Sequence, residues 1–233
     1  MEFKELLNHR RTVRLFKQEP VSDELLASLV DAARVASCAS NKQRLRYTVV
    51  RTKEMVLEIL KHTRWAGLVQ PLRTPQANVT SPAAFIVVTT TESELSEQLC
   101  ADAGAALQSI EFAATDNGLG CCWLGAIDRE EIQKIVGCGK IVYLAAVGYP
   151  AETPKSTDIP ATENCAYYLD SDGTLTVPKY CLEDILNCLS ILCDFQSEKE
   201  NEMNCNTISK ISKDSANLIY ERLNNIGYYD SVK

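Results

Sequence analysis

Histidine is nearly missing from this chain, with only His9 and His62 among 233 residues. Ten cysteines are present, but no two form a Cys-x-x-Cys pair. Zinc and iron–sulfur sites need ligands at short, defined separations, so no metal is expected. No apolar run approaches the roughly 18 residues that a membrane helix requires, and residues 1–5 carry no secretory signal. Positive charge is also short, with 24 Lys and Arg against 31 Asp and Glu. That balance argues against nucleic acid as a partner, because phosphate backbones call for a broad basic surface. Nucleotide-loop signatures are lacking too. Gly118-Leu119-Gly120 has no third glycine at dinucleotide spacing, and Gly137-Cys138-Gly139-Lys140 lacks both the first glycine and the closing Ser/Thr of a phosphate loop. These absences leave a soluble, cytoplasmic globular chain with one full domain and an extension. Its cysteines read as small buried apolar residues kept reduced.

Against this acidic background one basic cluster stands out, His9-Arg10-Arg11-Thr12-Val13-Arg14-Leu15-Phe16. Three guanidiniums and a hydroxyl within five residues suit an anionic group, since arginine offers a permanently charged planar fork of donors. From these residues alone a solvated basic face is an equal alternative.

The periodicities give an alternating plan of helices and strands. Ser22 caps a helix that turns Leu25, Leu26, Leu29, Val30 and Ala33 to one face. Tyr47 to Val50 read as a strand, and residues 53–63 as a helix with Val56, Leu57 and Leu60 inward. Residues 65–82, with three prolines, read as a loop and a candidate lid. Residues 83–90 form a continuous apolar strand covered on both faces. The clearest helix spans 97–117, rich in alanine, with Gly104 allowing close approach and Gly118 as its stop. Asp128 and Glu131 form a capping box for another helix. Residues 141–149 make a further strand, and Asp172-Gly173 turns a hairpin. Residues 194–217 turn polar and read as a linker, followed by one amphipathic helix.

Four blocks in order give this chain the look of a known family. The Arg10 to Phe16 opening, the Ser37, Asn41, Gln43 block before a strand, the Gly118-Leu119-Gly120 block running to Trp123-Leu124-Gly125, and the Gly148-Tyr149-Pro150 strand end resemble the nitroreductase family of flavin mononucleotide enzymes. Val177-Pro178-Lys179 is similar to its late basic segment, so the match covers about residues 1–190. Two positions depart from the pattern. Arg44 stands where proline is usual, which would loosen the turn, and Tyr180 stands where the family often has arginine.

The resemblance implies an α+β sandwich with a central, mostly antiparallel sheet flanked by helices, built as an intertwined homodimer. It implies residues 1–193 as the flavin mononucleotide (FMN) domain, and 194–233 as a polar linker and C-terminal helix. It assigns Arg10, Thr12 and Lys179, with Arg11 beside them, to the phosphate and ribityl chain. Arg14 falls to the N1 and O2 edge of the flavin, Ser37, Asn41 and Gln43 to its ring and ribityl contacts, and Leu124 and Gly125 to the N5 side. No side chain is implied as nucleophile or acid, because the cofactor carries the chemistry. Trp65, His62 and Arg64 become candidates for substrate contact. The implied activity is hydride transfer from NAD(P)H to an electron-poor small molecule, a nitroaromatic or quinone, by a ping-pong route. A flavin-dependent ene-reductase or dehalogenase is the alternative within the family, and a noncatalytic flavin-binding or redox-sensing module the alternative outside it. The resemblance also implies that each flavin sits between two subunits, and a monomer would leave the alanine face of residues 97–117 exposed.

Overall fold

The computed structural model describes residues 1–186. The chain divides into Met1–Cys181 and Leu182–Lys233. Of the second unit the described part is one helical turn, α6 (Leu182–Ile185). The expected linker and terminal helix at 194–233 lie outside the described residues.

Four antiparallel strands form the central sheet in the order β1 (Leu45–Val50), β2 (Ala84–Thr90), β4 (Lys140–Gly148), β3 (Gly120–Leu124). All seven residues of β2 are buried, as its continuous apolar run predicts. The pleat divides that strand between two cores. Ala84, Ile86 and Val88 face α2 (Asp23–Arg34) and α4 (Glu97–Asp116), with Leu29, Ala106, Leu107 and Ile110. Phe85 and Val87 face α3 (Lys53–Lys61) and α5 (Arg129–Val136), with Ile59 and Ile132. A register shift after Val88 leaves Val142 and Tyr143 both on the α2/α4 side, as a bulge does.

The predicted caps at Ser22 and Asp128 are present, with one correction. Ser22 accepts from the Leu25 N–H and Ser96 from the Leu99 N–H. Asp128 caps α5 at the Glu131 N–H, but the reciprocal half of the box is not made. The Asp128 N–H donates to His62 O instead, and the Glu131 carboxylate pairs with Lys134. Gly118, at φ 72°, ends α4 where an L side chain would be strained.

The alanines of α4 also need correcting. Ala103, Ala106 and Ala114 are buried in the chain's own core rather than exposed, because their small side chains let α4 approach the sheet and α2. What approaches Gly104 is the Trp123 indole, 3.3 Å from where a Cβ would stand. The part of α4 left partly exposed carries Ala101, Gly104, Ala105 and Phe112.

A small second sheet, β5 (Lys155–Ile159), β7 (Leu175–Tyr180), β6 (Tyr168–Leu169), carries the predicted hairpin at Asp172-Gly173. Among the described residues no helix is long and apolar enough to cross a membrane.

Candidate functional site

The basic segment after α1 (Phe3–His9) docks along the outer edge of β3. The Val13 N–H donates to Cys121 O at 3.0 Å, and Thr12 bridges Cys121 in parallel. Gly120 makes this approach possible: a Cβ there would fall 2.7 Å from the Val13 side chain.

The cations of this segment divide. Arg10 Nη1 lies 3.2 Å from Glu111 Oε2, whose side chain is 7% exposed. Burial lifts the Glu111 carboxyl above its ordinary value, against the opposing pull of Arg10, the Trp123 N–H and Arg14. The Arg14 guanidinium carbon also stands 5.2 Å from the Tyr167 ring centre, a cation–π contact. Arg11 turns the other way. It donates to Ser156 Oγ of β5 and to Arg10 O, and borders a cleft of about 410 Å³ with His9, Pro150 and Lys155. Burial, then the neighbouring Arg10, lowers the Arg11 value. Lys179 stands opposite Asp158 in the β5–β7 register, two residues along from the Ser156–Val177 pair.

The polar loop has its own anchor. Ser40, Asn41 and Gln43 all adopt positive φ, and Gln43 Nε2 donates to Asn41 Oδ1 at 3.1 Å. Asp102 of α4 holds the loop from behind, accepting from Ala39 N–H and from Arg44 Nη2, each at 2.8 Å. Arg44, expected to loosen this turn, clamps it through a buried ion pair. Burial alone would raise the Asp102 carboxyl, but those two donors outweigh it and hold it below the ordinary range. Ser37, Gln43, Tyr47 and Asp102 help line a cavity of about 240 Å³ beside the loop.

Leu124 ends β3 buried, and Gly125 follows it exposed. Residues 62–64 pair with the chain after Gly125: Arg64 N–H to Ala126 O at 2.9 Å, Thr63 with Ile127, and Asp128 N–H to His62 O. His62, Arg64 and Gly125 thus share a cleft of about 640 Å³. Trp65 does not join them. It is 2% exposed and packed in the α3/α5 core, with its indole N–H on Thr63, so it is corrected from substrate contact to core.

One chain brings Arg10, Thr12 and Arg14 beside Glu111 and β3, and holds Ser37, Asn41 and Gln43 elsewhere. Asp102 and Glu111, the anchors of the two groups, stand nine residues apart on α4, about 13 Å along its axis. The anchoring carboxylates were not found in the sequence. Their partners lie 58 and 101 residues away, and a lone Asp or Glu on an amphipathic helix carries no local signal.

The cysteines are corrected in part. Cys121 and Cys122 are buried, but Cys38, Cys100, Cys138 and Cys181 are half-buried and Cys165 is exposed. Cys188, Cys193 and Cys205 lie outside the described residues. Burial, the largest effect, pushes the Cys122 thiol to about 12, which leaves it an inert side chain at neutral pH.

With this geometry in hand, comparison with known proteins is informative. A family model described as the Nitroreductase family matches residues 7–149. A protein of Methanothermobacter thermautotrophicus, named provisionally as an NADH dehydrogenase/NAD(P)H nitroreductase, is 28% identical over 167 residues, covering 68% of this chain and 83% of that protein. Among solved structures, a provisionally assigned nitroreductase from Desulfovibrio desulfuricans, in complex with FMN, matches with TM-score 0.57 and 24% identity over 70% of this chain and 94% of its own. A nitroreductase family protein from Clostridium novyi NT matches with TM-score 0.56 and 24% identity, over 66% and 88%. The expected fold, an antiparallel sheet flanked by helices, is the one these structures share.

Proposed function

The chain belongs to the nitroreductase family, and from that membership we propose that it is an FMN-dependent oxidoreductase acting as a cytoplasmic homodimer. It takes hydride from NAD(P)H and passes it to an electron-poor acceptor, a nitroaromatic or a quinone, in ping-pong fashion. The observation that carries this reading is the segment 10–14, docked on β3 through Thr12 and Val13 with Arg10 paired to Glu111 and Arg14 against the Tyr167 ring. That donor set fits FMN. A fixed cation such as Arg14 favours the negative charge that a reduced flavin carries at its N1 and O2 edge. In this reading Arg10, Thr12 and Lys179 hold the phosphate, Glu111 holds Arg10 in place, and Arg11 stands beside them, turned to Ser156. Ser37, Asn41 and Gln43 read the ring edge and the ribityl chain, presented by the three positive-φ residues and the Asp102 anchor. Leu124 and Gly125 lie at the N5 side, with no Cβ on Gly125 to keep a flat ring away. When bound, FMN supplies the hydride chemistry, and the chain binds, orients and excludes water.

The purified protein is expected to be yellow, with flavin absorbance released on denaturation. Arg10→Ala is expected to weaken FMN by about 1.5–3 kcal/mol, the worth of a charged hydrogen bond. Protein that is colourless and cannot be reconstituted ends this reading. Bleaching of the bound flavin by reduced nicotinamide in stopped flow separates an enzyme from a noncatalytic flavin binder.

A further inference from the structure

We propose that Glu152 is the positioning residue for Arg14, and that through Arg73 it latches residues 65–82 to the segment that faces the flavin. This rests on the reading of Arg14 as the flavin-edge cation.

The backbone of the segment explains why a carboxylate is needed. Val13 N–H reaches Cys121 O, Phe16 N–H reaches Thr80 O, and Lys17 N–H reaches Tyr149 O. Leu15 O accepts from Ala151 N–H. The N–H groups of Arg14 and Leu15 fall between these pairings and find no strand to donate to. Glu152, two residues beyond Pro150, supplies the acceptor: its Oε1 takes Arg14 N–H at 2.6 Å and Leu15 N–H at 3.1 Å. Such charged hydrogen bonds are short and strong.

The second oxygen faces a cation from elsewhere in the chain. Arg73 Nε stands 2.8 Å from Glu152 Oε2, at an angle too oblique for a hydrogen bond, with side-chain exposures of 15% and 6%. Arg73 Nη2 in turn donates to Gly173 O, in the turn between β6 and β7. One buried carboxylate thus joins the arginine segment, the candidate lid and the small sheet. The hydrogen bond to Arg14 N–H also fixes its negative charge at the Arg14 backbone.

Two substitutions separate the parts of this role. In Glu152→Gln one oxygen can still accept from Arg14 and Leu15, but the amide NH2 meets the Arg73 guanidinium donor to donor, and the negative charge beside Arg14 is gone. In Arg73→Met the carboxylate stays and its opposing cation is gone. Both release the latch, yet they change the local charge in opposite senses. The flavin midpoint potential of the loaded protein is therefore expected to rise in Glu152→Gln and fall in Arg73→Met, while protease cuts residues 65–82 faster in both. Amide hydrogen exchange adds a measurement that needs no flavin. Exchange at Arg14 and Leu15 is expected to accelerate about tenfold or more in Glu152→Ala, the scale of one lost charged hydrogen bond, and to stay slow in Arg73→Met. If Glu152→Ala does not fold, Glu152→Gln with its latch cleavage and potential carries the test. Potentials that stay at the wild-type value or move together overturn the proposal, as do Arg14 and Leu15 amides still protected in Glu152→Ala. A colourless protein with the expected exchange pattern would instead overturn the flavin reading and leave the latch standing.

Discussion

Asp102 and Glu111 stand on the same helix and are shifted in opposite directions. Asp102 is held below its ordinary value of 3.8, so its folded form contributes stability that is present above that pH and is lost as pH falls through the depressed value. Asp102→Asn is expected to flatten the acid limb of a stability profile measured by urea unfolding. Arg44→Ala, which strips the buried pair of one partner, is expected to cost about 3–5 kcal/mol at neutral pH. Glu111 is raised by its burial, so its contribution is present below the ordinary glutamate value of 4.5 and is lost as pH rises. Glu111→Gln keeps an acceptor for Trp123 and Arg10 and removes that loss. Its stability relative to wild type is expected to increase from pH 4 to pH 7, a slope opposite in sign to that of Asp102→Asn. The same slope for both variants would show that the burial of Glu111 is offset in full by its two arginines.

At the scale of the element, the segment 10–16 meets β3 at Thr12 and Val13, and Gly120 is the residue that admits it. Gly120→Ala would drive a Cβ into Val13 at 2.7 Å. Neither partner can yield easily, because Val13 is buried and its N–H is bonded to Cys121 O. Overpacking of this kind is expected to cost about 1–3 kcal/mol. In the proposed reading it also displaces Arg10 and Arg14, so FMN should leave the variant at a lower denaturant concentration than that at which the sheet unfolds. Coincident loss of flavin and of secondary structure would show that the arginine segment and the sheet form one cooperative unit. The element scale was the most legible in the sequence. The helix cap at Ser22, the buried run of β2 and the Gly118 stop follow from local patterns that the fold did not override. The return bond of the Asp128 capping box was overridden, because His62 O offered that N–H a tertiary acceptor.

At the scale of the molecule, the Arg10 group and the Asn41 group sit at separate places on one chain. If each FMN is held between two subunits, as proposed, light scattering of the loaded protein should give about twice the 25.8 kDa of the chain. A sharper measurement uses mixed dimers. When Arg10→Ala chains are paired with Gln43→Ala chains, one composite site regains every wild-type residue and the other carries both changes. Flavin content near one per dimer is expected, against little in either parent. Equal loss in the mixed and parent dimers would place each site within one chain.

Local spacing was enough to mark the arginine cluster, because a short-range motif is written in consecutive residues, whereas the polar loop at 37–43 and the Leu124-Gly125 turn stood out only through the family resemblance. The elements around them were readable for the same reason, since a period of two or 3.6 is a property of neighbours along the chain. The partition of the cluster was not. Arg10 pairs with Glu111 and Arg14 meets the Tyr167 ring while Arg11 turns to Ser156, a division set by how the segment docks on β3. Nor could spacing foresee that Arg44 would clamp its turn, that Trp65 would enter the core, or that Glu152 would gather Arg14, Leu15 and Arg73. Each of those outcomes depends on a charge or ring meeting a partner from a distant part of the chain, and packing, not sequence proximity, brings such partners within reach.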